Sequence, residues 1–152
     1  MKWATQKDLG LNRPPCFWLI RKFIDPAAEF FLFPVEVLLA EAAKIGAKTF
    51  HAEGADYLIG NGKTTMEKIM DAHGLGGKDP ALDLLAEIFN DMVFRVKTNT
   101  ARHVEAYGLR ALDTGFRASA PDDLERMQRT SEMYEALYQW CRQRVGVAVS
   151  TH

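Results

Sequence analysis

One apolar segment near the N-terminus, residues 12–33, restricts the fold of this chain more than any other stretch. Its sequence, NRPPCFWLIRKFIDPAAEFFLF, has two prolines directly after Asn12-Arg13, and they suit the first turn of a helix because the missing N–H costs nothing there. The following CFWLIRKFI is apolar on almost every side, and Asp25-Pro26 is expected to end that helix. EFFLF at residues 29–33 favours a short strand. The segment therefore predicts a buried helix followed at once by an inner strand.

A strand before this helix would make the unit a crossover. KWATQ at residues 2–6 fits such a strand, and the residues between it and Pro14 form a connecting loop. Because a helix separates the two predicted strands, a parallel pair is favoured over a hairpin. The chain is therefore predicted to have an α/β fold with a small, largely parallel sheet and crossover helices.

Helical and strand patterns alternate up to about residue 75. VEVLLAEAAKIG has apolar residues at helical spacing and predicts a helix that covers one face of the sheet. AKTFHA and DYLI, residues 47–52 and 56–59, predict two more short strands. Thr64 or Thr65 is suited to cap the next helix, and Glu67 is placed for a capping box.

The second half of the chain is predicted to be helical. Asp79 should cap PALDLLAEIFNDMVF, and a second helical pattern runs from Thr98 to a break at residues 119–123. The last pattern carries an apolar stripe at near-helical spacing: Leu124, Met127, Met133, Leu137, Tyr138 and Cys141. We therefore predict one domain over residues 1–152, with a strand and helix part at 1–75, an α-helical layer at 79–145 and a tail at 146–152.

Length and charge limit the classes of function. A chain of 152 residues that is 47% hydrophobic can bury a core without disulfides or metals. A net charge of −1 gives no general attraction to nucleic acid or to anionic membranes, so an anion site needs a local cluster of cations. No apolar run approaches the roughly 18 residues of a membrane span, and the first residues lack the apolar core of a signal sequence. These features predict a soluble, cytoplasmic protein that binds neither nucleic acid nor membrane.

Cysteine and histidine usage predicts no metal site and no cofactor. Cys16 and Cys141 have no metal-ligand spacing and are too few for a disulfide framework, so two free thiols in a reducing compartment are expected. The four histidines are scattered without an HxxxH pattern. They are His51, His73, His103 and His152.

The segment IGNGKTT resembles a phosphate-binding loop, but its spacing is wrong. Such a loop needs GxxxxGK[ST], and counting back from Gly62-Lys63-Thr64 places Tyr57 where the first glycine belongs. A glycine turn followed by a threonine cap is the better prediction.

Cations surround the start of the first predicted helix, and they suggest an oxyanion site. A helix N-terminus offers unpaired N–H groups, and guanidinium groups add charge-assisted hydrogen bonds to tetrahedral oxygens. Arg13, Arg21 and Lys22 are the candidate anion-binding residues. Cys16, in the first turn, is a redox candidate because the helix field and nearby cations would favour its thiolate.

A purely structural role for the same residues is an open alternative. In that interpretation Arg21 and Lys22 are solvated or pair with Asp25 and Glu29, and Cys16 packs in the core. Spacing alone does not separate the two interpretations.

The segment RPPCFWLIRKFIDPAAEFFLF resembles the signature of the chromate-resistance protein B family, which typically reads DRxACPWLIRRFIDPxAEFxF in its C-terminal domain. The resemblance covers about residues 2–142, through VEVLLAEAAKIGAKTF, GKTTMEKIM, DPALDLLAEI and MYEALYQWCR in the same order. The positions that match are Arg13, Cys16, Trp18, Arg21 and Asp25, with Lys22 in place of a usual arginine and Asn12 in place of a usual aspartate. Ile59 and Thr64 stand where the family usually has histidine and cysteine.

The resemblance implies a role in chromate response. In full-length members a DNA-binding, winged-helix-like half precedes this domain, and the proteins regulate a chromate efflux operon. This chain is then expected to be a stand-alone domain that binds or senses chromate or a related oxyanion, acting with a partner regulator chain or as a homodimer. Two alternatives stay open: a thiol-dependent reductase or transferase that uses Cys16, and a degenerate domain kept for protein interaction.

Overall fold

The computed structural model describes residues 1–149, with the backbone alone at residues 147–149, and it confirms the α/β class. One parallel sheet has the order β2-β1-β3, where β1 is Lys2–Gln6, β2 is Glu29–Phe33 and β3 is Lys48–Thr49. The helices in this range are α1 (Pro14–Leu19), α2 (Leu38–Ile45), α3 (Thr65–Ala72), α4 (Pro80–Phe94), α5 (Glu105–Ser119) and α6 (Asp123–Val149). A π-helical segment, Ile20–Ile24, continues α1.

The first crossover has the predicted form. β1 and β2 run parallel, with Trp3 beside Phe30 and Ala4 beside Phe31. Successive residues of a strand point to opposite faces, so these two pairs belong to different sides of the sheet. β1 is the central strand, because it also pairs in parallel with β3.

The main hydrophobic core lies on the face that carries Trp3. Phe17 of α1 contacts Phe30 and Phe50 edge to face, with ring centroids 4.8 and 5.4 Å apart. The helices α4 and α6 pack against each other, and α6 also packs against α1, so the predicted C-terminal helical layer is confirmed. This layer covers the sheet face on which α1 lies.

A smaller core lies on the opposite face, under α2. It contains Ala4, Leu38, Ala42 and Ala52. α2 begins three residues later than the pattern VEVLLAEAAKIG predicts. A turn precedes it, in which the Val37 N–H donates to the Pro34 carbonyl at 3.1 Å. The two crossover helices α1 and α2 therefore lie on opposite sides of the sheet.

The predicted caps are confirmed. The Thr64 hydroxyl accepts from the Glu67 N–H at 3.1 Å, and the Glu67 carboxylate accepts from the Thr64 N–H at 2.9 Å, which completes the capping box. The Asp79 carboxylate accepts from the Ala81 N–H at 3.0 Å at the start of α4. Local sequence signals therefore placed both helix starts correctly.

The phosphate-loop segment is a tight turn, as predicted. Gly60 and Lys63 exchange two backbone hydrogen bonds of 3.0 Å, and Asn61 and Gly62 between them have φ values of 54° and 74°. Both central residues lie in the left-handed region, which is typical of a two-residue hairpin turn. Thr64 then begins the capping box of α3.

Four predicted boundaries are wrong. The strand predicted at 47–52 is shorter than expected, since β3 has only two residues. The strand predicted at 56–59 is a single bridge from Tyr57 to Phe50. There the Asp56 carboxylate accepts from the N–H and the hydroxyl of Thr49 in place of a longer ladder. The second helical pattern begins at Glu105 rather than near Thr98. α6 continues to Val149, so the tail predicted from residue 146 starts too early, and residues 150–152 lie outside the described part.

Candidate functional site

The carboxyl end of β1 is the topological switch point of the sheet. The chain leaves β1 through α1 on one face, and it later reaches β3 through α2 on the other face. In open parallel sheets, ligands bind in the crevice outside the carboxyl ends of the strands, where the strand order reverses. In this protein that position is the loop of residues 7–13 between β1 and α1.

A cleft of about 520 Å³ opens beside this loop. The loop contributes one side of it, and the end of α5 and the start of α6 contribute the others. The lining residues are Asp8, Leu9, Arg117, Ala120, Pro121, Asp122, Asp123 and Arg126. We call this space the β1 cleft.

Arg126 is a buried cation on the side of the β1 cleft. Only 4% of it is exposed, and its guanidinium donates to the Leu9 carbonyl and, at 3.0 Å, to the Asp113 carboxylate. Its Nε–H has no partner among the described residues, and neither has the second oxygen of Asp113, which is fully buried. The ion pair therefore retains one unused donor and one unused acceptor.

Tyr134 extends this buried polar group behind the cleft. Its hydroxyl is fully buried and has no partner in the described part of the chain. Burial and the nearby Asp113 charge raise the pKa of Tyr134 well above its usual value. Burial also raises the pKa of Asp113, although Arg126 opposes the shift. Ionisable groups perturbed in this way beside a cleft are typical of functional sites.

Arg13, the first predicted anion-binding residue, lies at this loop, but its hydrogen bonds stabilise the loop itself. It is 2% exposed, and its guanidinium donates to the Gln6 carbonyl at 2.8 Å and to the Asp8 carbonyl. Burial lowers the pKa of Arg13 to about 10, and Asp123 partly opposes this effect. Arg13 thus adds positive charge behind the β1 cleft without lining it.

Arg21 and Lys22 lie elsewhere. The Arg21 guanidinium stacks over the Phe30 ring, with its Cζ 4.7 Å from the centroid, and Arg21 lines a different cleft with residues 124–132 of α6. Lys22 pairs with Glu135 at 2.7 Å rather than with Asp25 or Glu29. The structure therefore does not bring the three predicted cations to one point.

The N–H donors expected at the start of α1 are absent. Pro14 and Pro15 have no N–H, and the Cys16 N–H donates to the Arg13 carbonyl at 2.9 Å. The first three positions of α1 therefore offer no free N–H group to an anion. The two prolines that predict the helix also remove two of the donors that an oxyanion site would use.

Cys16 is fully buried, and the prediction that its surroundings favour the thiolate is wrong. Its Sγ lies 3.3 Å from the Asn12 carbonyl, to which the thiol donates. Burial raises the pKa of Cys16 far above its usual value, and the nearby Arg13 charge offsets only part of that shift. A buried neutral thiol is a poor nucleophile and a poor redox partner.

We predict that native protein reacts very slowly with a bulky thiol reagent such as a chromogenic disulfide. Both Cys16 and Cys141 are fully buried, and burial raises the pKa of each. Labelling should reach two thiols per chain only after unfolding in guanidinium. Rapid reaction of one thiol in native protein, lost on Cys16→Ser, would restore the redox interpretation.

Sequence reasoning missed Asp113 and Arg126, although a signal was present. Asp113 occupies the buried stripe of α5 with Ala106 and Leu109. A charged residue at such a position needs a buried partner. On α6 the buried stripe is rotated from the predicted one: it contains Arg126, Met127, Thr130, Tyr134, Tyr138 and Cys141, whereas Leu124 is exposed.

The part of the chain that the structure describes contains no group of three or more His, Cys, Asp or Glu side chains placed to hold a metal ion. Among those same residues, no helix combines the length and apolar character needed to cross a membrane. His51, close to Arg13, donates to or accepts from the Thr65 hydroxyl at 2.7 Å, and burial lowers its pKa to about 4.

Comparisons with known proteins identify the family. The model of the family described as "ChrB, C-terminal domain" matches residues 3–141. The chain is 28% identical over 137 residues to Protein ChrB of Cupriavidus metallidurans (strain CH34), a match that covers 90% of this chain but 40% of the relative. No solved structure matches significantly. The chain therefore belongs to the ChrB C-terminal domain family, as the Asn12–Phe33 signature implied.

Proposed function

We propose that this chain is a binding domain for chromate or a related oxyanion, and that the anion occupies the β1 cleft. Membership of the ChrB C-terminal domain family supports a role related to chromate resistance. The observation that supports this position most is a pair of arginines that line the cleft, the exposed Arg117 and the buried Arg126. Arginine is suited to tetrahedral oxyanions because its planar fork donates two parallel hydrogen bonds.

Arg117 supplies the accessible half of the proposed site. It is exposed at the end of α5, lines the β1 cleft, and forms no ion pair with another described residue. Arg13 lies behind the loop and adds charge to the same region. We expect an anion to contact Arg117 directly and to gain further stabilisation from the two buried arginines.

The geometry does not favour the thiol-dependent enzyme. That function requires Cys16 to reach a substrate as a thiolate, whereas Cys16 is fully buried and burial raises its pKa. A binding role needs no chemical step by a side chain. It is also compatible with a partner regulator chain or a homodimer, which remains part of the proposal.

The test is a thermal-shift titration of reduced protein with chromate, phosphate and sulfate, run beside Arg117→Ala. A ligand that binds only the native state stabilises it by about 2.7 kcal/mol at a hundredfold excess over its dissociation constant, so a real site gives a clear shift. We expect the shift to be lost in Arg117→Ala, whose fold should be intact because this side chain is exposed.

Arg21→Ala is the matched control, because Arg21 is also an exposed arginine but lines a different cleft. It should leave the shift unchanged. If the shift disappears in Arg21→Ala and persists in Arg117→Ala, the anion binds near the position first predicted from the sequence. If no anion shifts the wild-type protein, the oxyanion function is wrong and a protein-interaction role becomes the better interpretation.

A further inference from the structure

Any site for chromate must separate it from sulfate. The two anions are tetrahedral, carry two negative charges when fully deprotonated, and are similar in size, so arginines alone attract both. They differ in basicity: chromate holds a proton in weakly acidic solution, and sulfate does not. A hydrogen-bond acceptor beside the arginines can detect that proton, and it repels an anion that lacks one.

The β1 cleft contains such acceptors among its lining residues, namely Asp8, Asp122 and Asp123. Two of them are already occupied. Asp123 accepts from the N–H groups of Asp8 and Leu9 at 2.8 and 3.0 Å, one on each oxygen. Asp122 accepts from the Glu125 N–H at 2.8 Å and so caps the first turn of α6. Among the described residues, the Asp8 carboxylate has no hydrogen-bond partner.

The backbone holds Asp8 in place. Its φ is 62°, in the left-handed region that aspartate and asparagine tolerate better than most residues. Its N–H donates to Asp123, and its carbonyl accepts from Arg13, so α6 and the start of α1 both fix this residue. These contacts fix the position of the exposed Asp8 beside the β1 cleft.

We infer that Asp8 selects hydrogen-bearing tetrahedral oxyanions, such as hydrogenchromate or hydrogenphosphate, over sulfate. Arg117 and Arg126 attract the anion, and the Asp8 carboxylate accepts the hydrogen bond from its O–H. Sulfate, which has no proton to donate, meets the Asp8 charge without compensation. This inference rests on the proposed oxyanion function, and it adds a residue that sets specificity.

The mixed charge of the cleft is consistent with this role. Arg117 at the end of α5 and Asp8 on the loop face the ligand, Arg126 and Arg13 lie behind them, and backbone N–H groups already occupy Asp122 and Asp123 at the start of α6. A site for a bare dianion would not need an unpaired carboxylate such as Asp8 among its lining residues. A site for an anion that both accepts and donates hydrogen bonds needs at least one acceptor.

The experiment measures dissociation constants for phosphate, chromate and sulfate by calorimetry, in weakly acidic and weakly basic buffer. Wild-type protein should bind phosphate in both buffers, because phosphate keeps a proton in both. It should bind chromate in the acidic buffer and lose most of that affinity in the basic one. Sulfate should bind about ten- to a hundredfold more weakly than phosphate, the effect expected of one hydrogen bond to a charged group.

Asp8→Asn tests the residue itself. Asparagine tolerates the same backbone conformation but brings no negative charge, so the preference over sulfate should fall to near parity. Asp122→Asn is the matched control, because asparagine caps a helix as well as aspartate and the Asp8 acceptor remains. It should keep the preference.

The outcomes separate the inference from the proposed function. If sulfate binds wild-type protein as well as phosphate does, or if Asp122→Asn abolishes the preference and Asp8→Asn does not, the role of Asp8 is wrong while oxyanion binding stands. If none of the three anions binds, the proposed function fails, and the inference fails with it.

Discussion

Asp113→Ala is expected to destabilise the protein by about 3–5 kcal/mol. Asp113 is fully buried and accepts from Arg126, which is 4% exposed, at 3.0 Å. Without this carboxylate, Arg126 remains as a buried charge with no counter-charge, and the cost of that desolvation falls on the folded state. The measurement is the free energy of unfolding from urea or guanidinium titration, monitored by circular dichroism.

A double variant separates the effect of the unpaired charge from that of lost packing. Asp113→Leu with Arg126→Met replaces both charges by apolar groups, and it should recover most of the lost stability. Glu125→Ala is the comparison on the same helix, since the Glu125–Arg129 pair is about 40% exposed on both sides and should contribute only about 0–1 kcal/mol. A loss below about 1 kcal/mol for Asp113→Ala would contradict the buried ion pair.

Asp91→Ala is expected to cost a similar amount, about 3–5 kcal/mol. The fully buried Asp91 carboxylate accepts from the N–H groups of Arg102 and His103, both at 2.7 Å, and lies 3.1 Å from the Arg95 guanidinium. It therefore joins the end of α4 to the segment that leads into α5. Alanine leaves two partly buried N–H groups without their acceptor and removes the buried counter-charge of Arg95.

The same carboxylate predicts how stability depends on pH. Burial raises the pKa of Asp91, but the N–H bonds from His103 and Arg102 and the charge of Arg102 outweigh that effect, so the pKa is lowered overall. A lowered pKa in the folded state gives stability that is present above the unfolded-state pKa of about 4 and is lost as pH falls through the folded-state value. Asp91→Asn should therefore show a flatter acid limb in a stability profile. An unchanged limb would contradict the assignment.

The features that the sequence predicts correctly depend on residues close to one another along the chain. β1 and β2 have the bounds predicted for KWATQ and EFFLF, and the starts of α3 and α4 follow from caps that reach only two or three residues along the chain. The resemblance to the ChrB family came from the same contiguous segment and is confirmed. Each of these signals is complete within a few residues, so no knowledge of the tertiary structure is needed to interpret it.

Only the tertiary structure determines which groups the charged side chains contact. Three cations lie within ten positions of sequence but have different partners. Arg13 donates to a carbonyl of the β1–α1 loop, Arg21 stacks on Phe30, and Lys22 pairs with Glu135 of α6. The β1 cleft depends on contacts that sequence spacing does not reveal, because Arg126 donates to Leu9 across 117 positions and Asp123 accepts from Asp8 across 115. A long cationic side chain can reach several partners. Which one it contacts depends on the buried carbonyls and carboxylates that the packed helices bring within reach.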